Sequence, residues 1–114
     1  MQDLLSKTFK AVSDPHRLLI LGILKHRPMF VCQLAKSINL AYSTTSQHLR
    51  ILSEAGLIIS QNNGKWVKYC IARQSVNPYS EKIFSLVDDC LNSDAEFKKQ
   101  IEDIVQKQID PTCR

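Results

Sequence analysis

Between residues 43 and 71 the apolar pattern changes period, and this change constrains the fold more than any other feature of the chain. From Ser43 to Ala55, Thr45, Leu49 and Leu52 recur at the spacing of one helical face, and Gly56 suits a left-handed helix stop. Leu57-Ile58-Ile59-Ser60-Gln61 then reads as a short strand, and Lys65-Trp66-Val67-Lys68-Tyr69-Cys70-Ile71 as the strand that returns. Between them Asn62-Asn63-Gly64 is a tight-turn signal, since a primed hairpin turn needs positive φ and Asn-Gly supplies it.

The flanking segments are helical. Leu4, Leu5, Phe9 and Val12 are spaced for a short amphipathic helix. Asp14-Pro15 restarts the chain, because Asp accepts orphan amide protons and Pro suits a first helical turn. The helix that follows, from Pro15 to Lys25, is apolar on most sides and should be the most buried one. Met29 to Ile38 reads as a third helix that Asn39 breaks. After Asn77-Pro78, Ile83, Leu86, Val87, Cys90 and Leu91 form an apolar stripe. Ser93 with Glu96 has the spacing of a capping box ahead of Phe97, Ile101, Ile104, Val105 and Ile109.

Together these segments predict a mainly α fold with a small β-hairpin, a winged helix-turn-helix, in one domain over residues 1–114. A recognition helix is expected at about 43–55, a wing at about 57–71, and dimerisation helices at about 4–12 and 79–109. The stripe on 83–91 and the apolar side of 97–109 exceed what one small core requires, which points to a homodimer.

Charge adds a partner. Residues 1–78 carry ten Lys/Arg against three Asp/Glu, whereas residues 79–114 carry five against eight. A basic N-terminal two-thirds is what a phosphate-facing surface needs. The helix at 43–55 fits the same demand. With Thr45, Leu49 and Leu52 turned inward, Tyr42, Ser43, Thr44, Ser46, Gln47 and Arg50 are left for the outer side. Gln can bond adenine bidentately, Ser reaches a base edge or a phosphate, and Arg50 is placed for the backbone. His48 can meet a phosphate or orient the helix from beside the core. Asn63, Gly64, Lys65 and Lys68 would place amides and cations at the projecting tip of the wing. The expected partner is double-stranded DNA.

FKAVSDPHRLLIL (9–21), FVCQLAKSINLAYSTTSQHLRILSEAGLI (30–58) and GKWVKYCI (64–71) stand in the order in which they resemble the ArsR–SmtB family of metal- and stress-responsive repressors. The resemblance covers about residues 7–72. It implies a homodimer through the first and last helices that binds an imperfect palindrome and releases it when an inducer binds. Many members carry a Cys-x-Cys box with a following acid on the third helix. Here Phe30 stands for the first cysteine and Gln33 for the acid, leaving Cys32. Others bind zinc through Asp and His on the last long helix, but this chain has no histidine beyond His48.

Thiol chemistry remains. Cys32, Cys70, Cys90 and Cys113 contain no CxxC pair and are expected as thiols rather than as a disulfide framework. Cys32, Cys90 and Cys113 are the candidate ligands for trivalent arsenic or a soft metal ion as inducer; no cofactor is needed for DNA binding itself. Persulfide-sensing relatives pair a cysteine near Cys90 with one on the second helix, where this chain has Gly22. A thiol redox or persulfide response, or a winged-helix protein-interaction module without a metal site, are the alternatives. No phosphate loop, paired carboxylates or Cys–His pairing points to an enzyme. No apolar run reaches a membrane span, and the N-terminus has no secretory layout, so a cytoplasmic protein is expected.

Overall fold

The computed structural model of the chain describes residues 3–64, 66–73 and 77–107. Its elements follow as α1 (Asp3–Ala11), α2 (Pro15–Leu24), β1 (Met29–Phe30), α3 (Val31–Ile38), α4 (Tyr42–Glu54), β2 (Ile58–Asn63), β3 (Trp66–Ile71), α5 (Ser80–Ser93) and α6 (Ala95–Gln106). The architecture is mainly α with a small antiparallel sheet, a winged helix-turn-helix. Among the described residues no helix is long and apolar enough to cross a membrane.

Helix α2 is the centre. Asp14 caps it by accepting from the His16 and Arg17 amides at 2.8 and 3.3 Å, and Pro15 fills its first turn. Leu19, Ile20, Leu21, Ile23 and Leu24 are all buried, so its apolar circumference is packed on every side by α4, α5, α6 and β3. Gly22 is part of that packing. A Cβ built on it would run into Ile101 Cδ1 of α6, so glycine is what lets the two helices approach.

The sheet has the order β1-β3-β2, with β3 in the middle. Ile58 pairs with Ile71 and Asn63 with Trp66 at the two ends of the hairpin. Gly64, at φ 66°, therefore takes the first central turn position, one residue later than the Asn63-Gly64 turn expected from the sequence. Met29 and Phe30 correct a second expectation. They do not open the third helix but pair as β1 with Tyr69 and Lys68. The helix starts at Val31, where Gln33 Oε1 accepts from the Phe30 amide at 2.8 Å.

The terminal helices depart in detail too. Asp94, not Ser93, caps α6, accepting from the Phe97 amide at 3.1 Å. The α5 stripe divides: Ile83, Phe84 and Val87 enter the core, while Leu86 is 61% exposed and Cys90 is also exposed. Phe9 of α1 is 58% exposed. Asn77 ties these helices to α4. It is buried, and its Nδ2 donates to Thr8 Oγ1 of α1 at 2.9 Å and to the Ala55 carbonyl past α4 at 2.6 Å. Its Oδ1 accepts from the Tyr79 amide at 2.8 Å, at the start of α5.

Candidate nucleic-acid interface

Helix α4 is held from below by Thr45, Leu49 and Leu52, each fully buried. Thr45 also donates from Oγ1 to the Ala41 carbonyl at 2.9 Å, which fixes the first turn without presenting a polar atom to the core. Asn39 adopts φ 57° to end α3, and the Leu40 amide donates to Ala35 O at 3.0 Å, so the two helices are joined tightly. Ala41, at the N-cap of α4, offers no side-chain oxygen. The first-turn amides of α4 consequently keep their donor capacity for an outside acceptor.

What faces outward is a groove of about 530 Å³ lined by Tyr42, Ser43, Ser46, Gln47, Arg50, Ser53, Glu54 and Tyr69. Five of these eight are residues expected at the interface. Tyr42 is 58% exposed; Ser43, Thr44, Gln47 and Arg50 are exposed, and Ser46 is half-buried. Ser53 and Glu54 extend the same face along α4, three and four positions beyond Arg50, and Tyr69 joins from β3, a proximity that no local spacing signals.

On the hairpin, Gly64 is exposed at the turn. Asn63 closes the ladder opposite Trp66, and Lys65 lies outside the described residues. Lys68 is not at the tip. It sits mid-strand opposite Gln61 and Phe30, with its Nζ 5.2 Å from the centre of the Phe30 ring, and Trp66 meets that ring edge-on at 6.3 Å.

His48 belongs to a different arrangement from the other outward residues of α4. Its Nδ1 lies 3.1 Å from Arg17 Nη1. Arg17 is itself fixed by donating from Nε to Ala11 O at 2.7 Å and from Nη2 to Lys10 O at 3.1 Å. The His16 and His48 rings are 5.7 Å apart, and His16 Nδ1 is 3.8 Å from Asp14 Oδ1. Burial pushes the His48 pKa down, aided by Arg17 and His16 and opposed by the Asp14 carboxylate. For Asp14, partial burial raises the pKa, but the Arg17 and His16 amides and the nearby cations outweigh it and leave the net shift downward. One ligand atom from each of Asp14, His16 and His48 lies within 4.8 Å of the others, a metal-competent cluster. The sequence carried no sign of it, because His48 is 32 positions from His16 and only the packing of α4 on α2 joins them.

The cysteines are dispersed. Cys32 is buried in α3, which packs on α4, β1 and β3. It is disulfide-bonded, where a thiol was expected. Cys90 is a free, exposed thiol on α5, which packs on α2 and α6. Cys70 is free and half-buried in the wing, and Cys113 lies outside the described residues. A cysteine at position 22, which the persulfide pairing would need, could not be accommodated without displacing Ile101.

The arsR family of bacterial regulatory proteins matches residues 14–60, from the α2 cap into β2. An HTH-type transcriptional regulator of Methanocaldococcus jannaschii is 35% identical over 85 residues, covering 74% of this chain and 91% of that protein. The cadmium resistance regulatory protein CadC of Listeria innocua is 41% identical over 64 residues, and the match spans 55% of this chain and 54% of CadC. Among solved structures, a homodimeric winged helix-turn-helix DNA-binding domain from Mycobacterium bovis aligns with a TM-score of 0.68 at 26% identity, covering 82% of this chain and 83% of that one.

Proposed function

Since this chain belongs to the ArsR–SmtB family of winged helix-turn-helix transcriptional regulators, we propose that it is a homodimeric repressor that an inducer releases from operator DNA. The observation that carries the reading is the outer face of α4. Small polar side chains and one arginine line an open groove there, above a first turn whose amides have no side-chain cap. Such a face can enter a major groove without steric conflict and meet base edges through Ser46 and Gln47. Tyr42, Ser43 and Thr44, with the first-turn amides, suit phosphate, and Arg50 reaches the backbone further along. The wing, through Asn63, Gly64 and Lys65, follows the flanking backbone. Lys68 supports the wing from its stack on Phe30. Glu54 at the edge of the groove sets a boundary, because its carboxylate repels phosphate.

Dimerisation through the terminal helices is favoured by Phe9 and Leu86, large apolar side chains left exposed on α1 and α5. The Mycobacterium bovis domain of similar fold is homodimeric. A two-fold protein matches a palindromic site.

The inducer we assign is thiophilic: trivalent arsenic or a soft metal ion, with a thiol redox response as the second reading. Cys90, free and exposed, is the thiol ready to react. Cys32 becomes available on reduction, and Cys113 is the third candidate sulfur. The similarity to a cadmium resistance regulator favours a soft ion.

A hydroxyl-radical footprint on the DNA upstream of the protein's own gene tests the reading. Two protected half-sites about one helical turn apart are expected, and they should disappear when arsenite or cadmium is added. Uniform or absent protection would overturn it.

A further inference from the structure

The cluster at the start of α2 offers two imidazoles and a carboxylate, a donor set with no sulfur. Imidazole nitrogen with carboxylate oxygen selects borderline divalent ions rather than arsenic or copper(I). We propose that Asp14, His16 and His48 form a binding site for such an ion, Zn(II), Ni(II) or Co(II), which joins the cap of α2 to the middle of α4.

The geometry supports it in three ways. The ligand atoms converge within 4.8 Å, so modest side-chain rotations bring them to the separations that bonds of about 2.0–2.2 Å require. Asp14 and His16 flank Pro15 at a capped helix start, where the backbone is already fixed, and only His48 comes from another element. His16 is exposed, which leaves an entry path and room for water in the remaining coordination positions.

Arg17 is the competitor. Its Nη1 takes the His48 Nδ1 lone pair at 3.1 Å, and its charge opposes a cation nearby. Coordination through that nitrogen displaces Nη1, while Arg17 keeps its bonds to the Ala11 and Lys10 carbonyls. The Asp14 carboxylate offsets the added charge. Because His48 follows Gln47 directly, an ion held here acts on the helix whose outer face lines the groove. This site is separate from the cysteines of the inducer reading and shares no ligand with them.

Cobalt(II) titration of the full-length, reduced protein, followed by visible absorption and without DNA, is the test. The expected result is saturable binding of one ion per chain with ligand-field bands and no thiolate-to-cobalt charge transfer. His16→Gln and Asp14→Asn should each weaken binding by about tenfold or more. His16 is exposed, and Asn still caps a helix, so both variants should fold, which circular dichroism checks. No saturable binding, affinity unchanged in both variants, or a strong thiolate band would each overturn the site. None of these outcomes bears on operator binding, which is measured separately.

Discussion

Asp14 shows how much one side chain at a helix start can decide. Its Oδ1 satisfies two amides of α2, so Asp14→Ala should cost about 1 kcal/mol of stability, whereas Asp14→Asn should stay within a few tenths. Urea denaturation of the two variants checks this, and equal midpoints would show that the cap contributes nothing. This role was legible in the sequence, because the Asp-Pro pair is local chemistry. Gly22 was not legible. A glycine inside an apolar helix reads as a weakness, and only the position of Ile101 against it shows that the space is taken. Gly22→Ala gains about 1 kcal/mol of helix propensity but forces a fully buried Ile101 to move. Overpacking of about 1–3 kcal/mol should win, lowering the thermal midpoint. A raised midpoint would mean that α6 yields easily.

At the scale of elements, long periodic segments were read well and short ones poorly. Helices α2 and α4 each carry two or more turns of apolar period, and their bounds fall within a residue of those expected, while the stripe at 83–91 lies inside α5. Strand β1 has two residues, too few to show any period, so Met29-Phe30 merged with the helix behind it. The hairpin was recognised from its turn residues, but the register slipped by one, because Asn62, Asn63 and Gly64 offer two ways to seat the glycine. Asn77 looked like a breaker beside Pro78 and is instead the buried link between α1, α4 and α5. Asn77→Ala leaves the Ala55 carbonyl without that donor and should cost about 1–3 kcal/mol. Faster amide exchange at the C-terminal end of α4 would locate the damage there; exchange that quickens uniformly would argue against the link. On the outer face of α4, Arg50→Ala should lower the slope of log K against log salt by about 0.9 for one lost phosphate contact. An unchanged slope in a binding series from low to physiological salt would remove Arg50 from the backbone contacts.

The whole molecule adds what no single element carries. Phe9 and Leu86 are legible only as members of apolar stripes in the sequence; the fold separates the side chains used by the core from those left outside it. Leu86→Glu should yield a folded monomer by sedimentation velocity, and an intact dimer would place the interface elsewhere. The groove was partly legible, through residues on one helix. Tyr69 and the Asp14–His16–His48 cluster were not, since they arise where distant segments meet. The central claim is that this α4 face reads DNA. Fluorescence anisotropy of the protein's own upstream DNA, titrated with wild type and with Ser46→Ala/Gln47→Ala, tests it most directly. The wild type should bind that DNA at least about a thousandfold more tightly than a random duplex. The double variant should lose about 1–3 kcal/mol of that preference per contact while its affinity for random DNA is retained. A wild type that binds both duplexes alike, or a double variant with full preference, would contradict it.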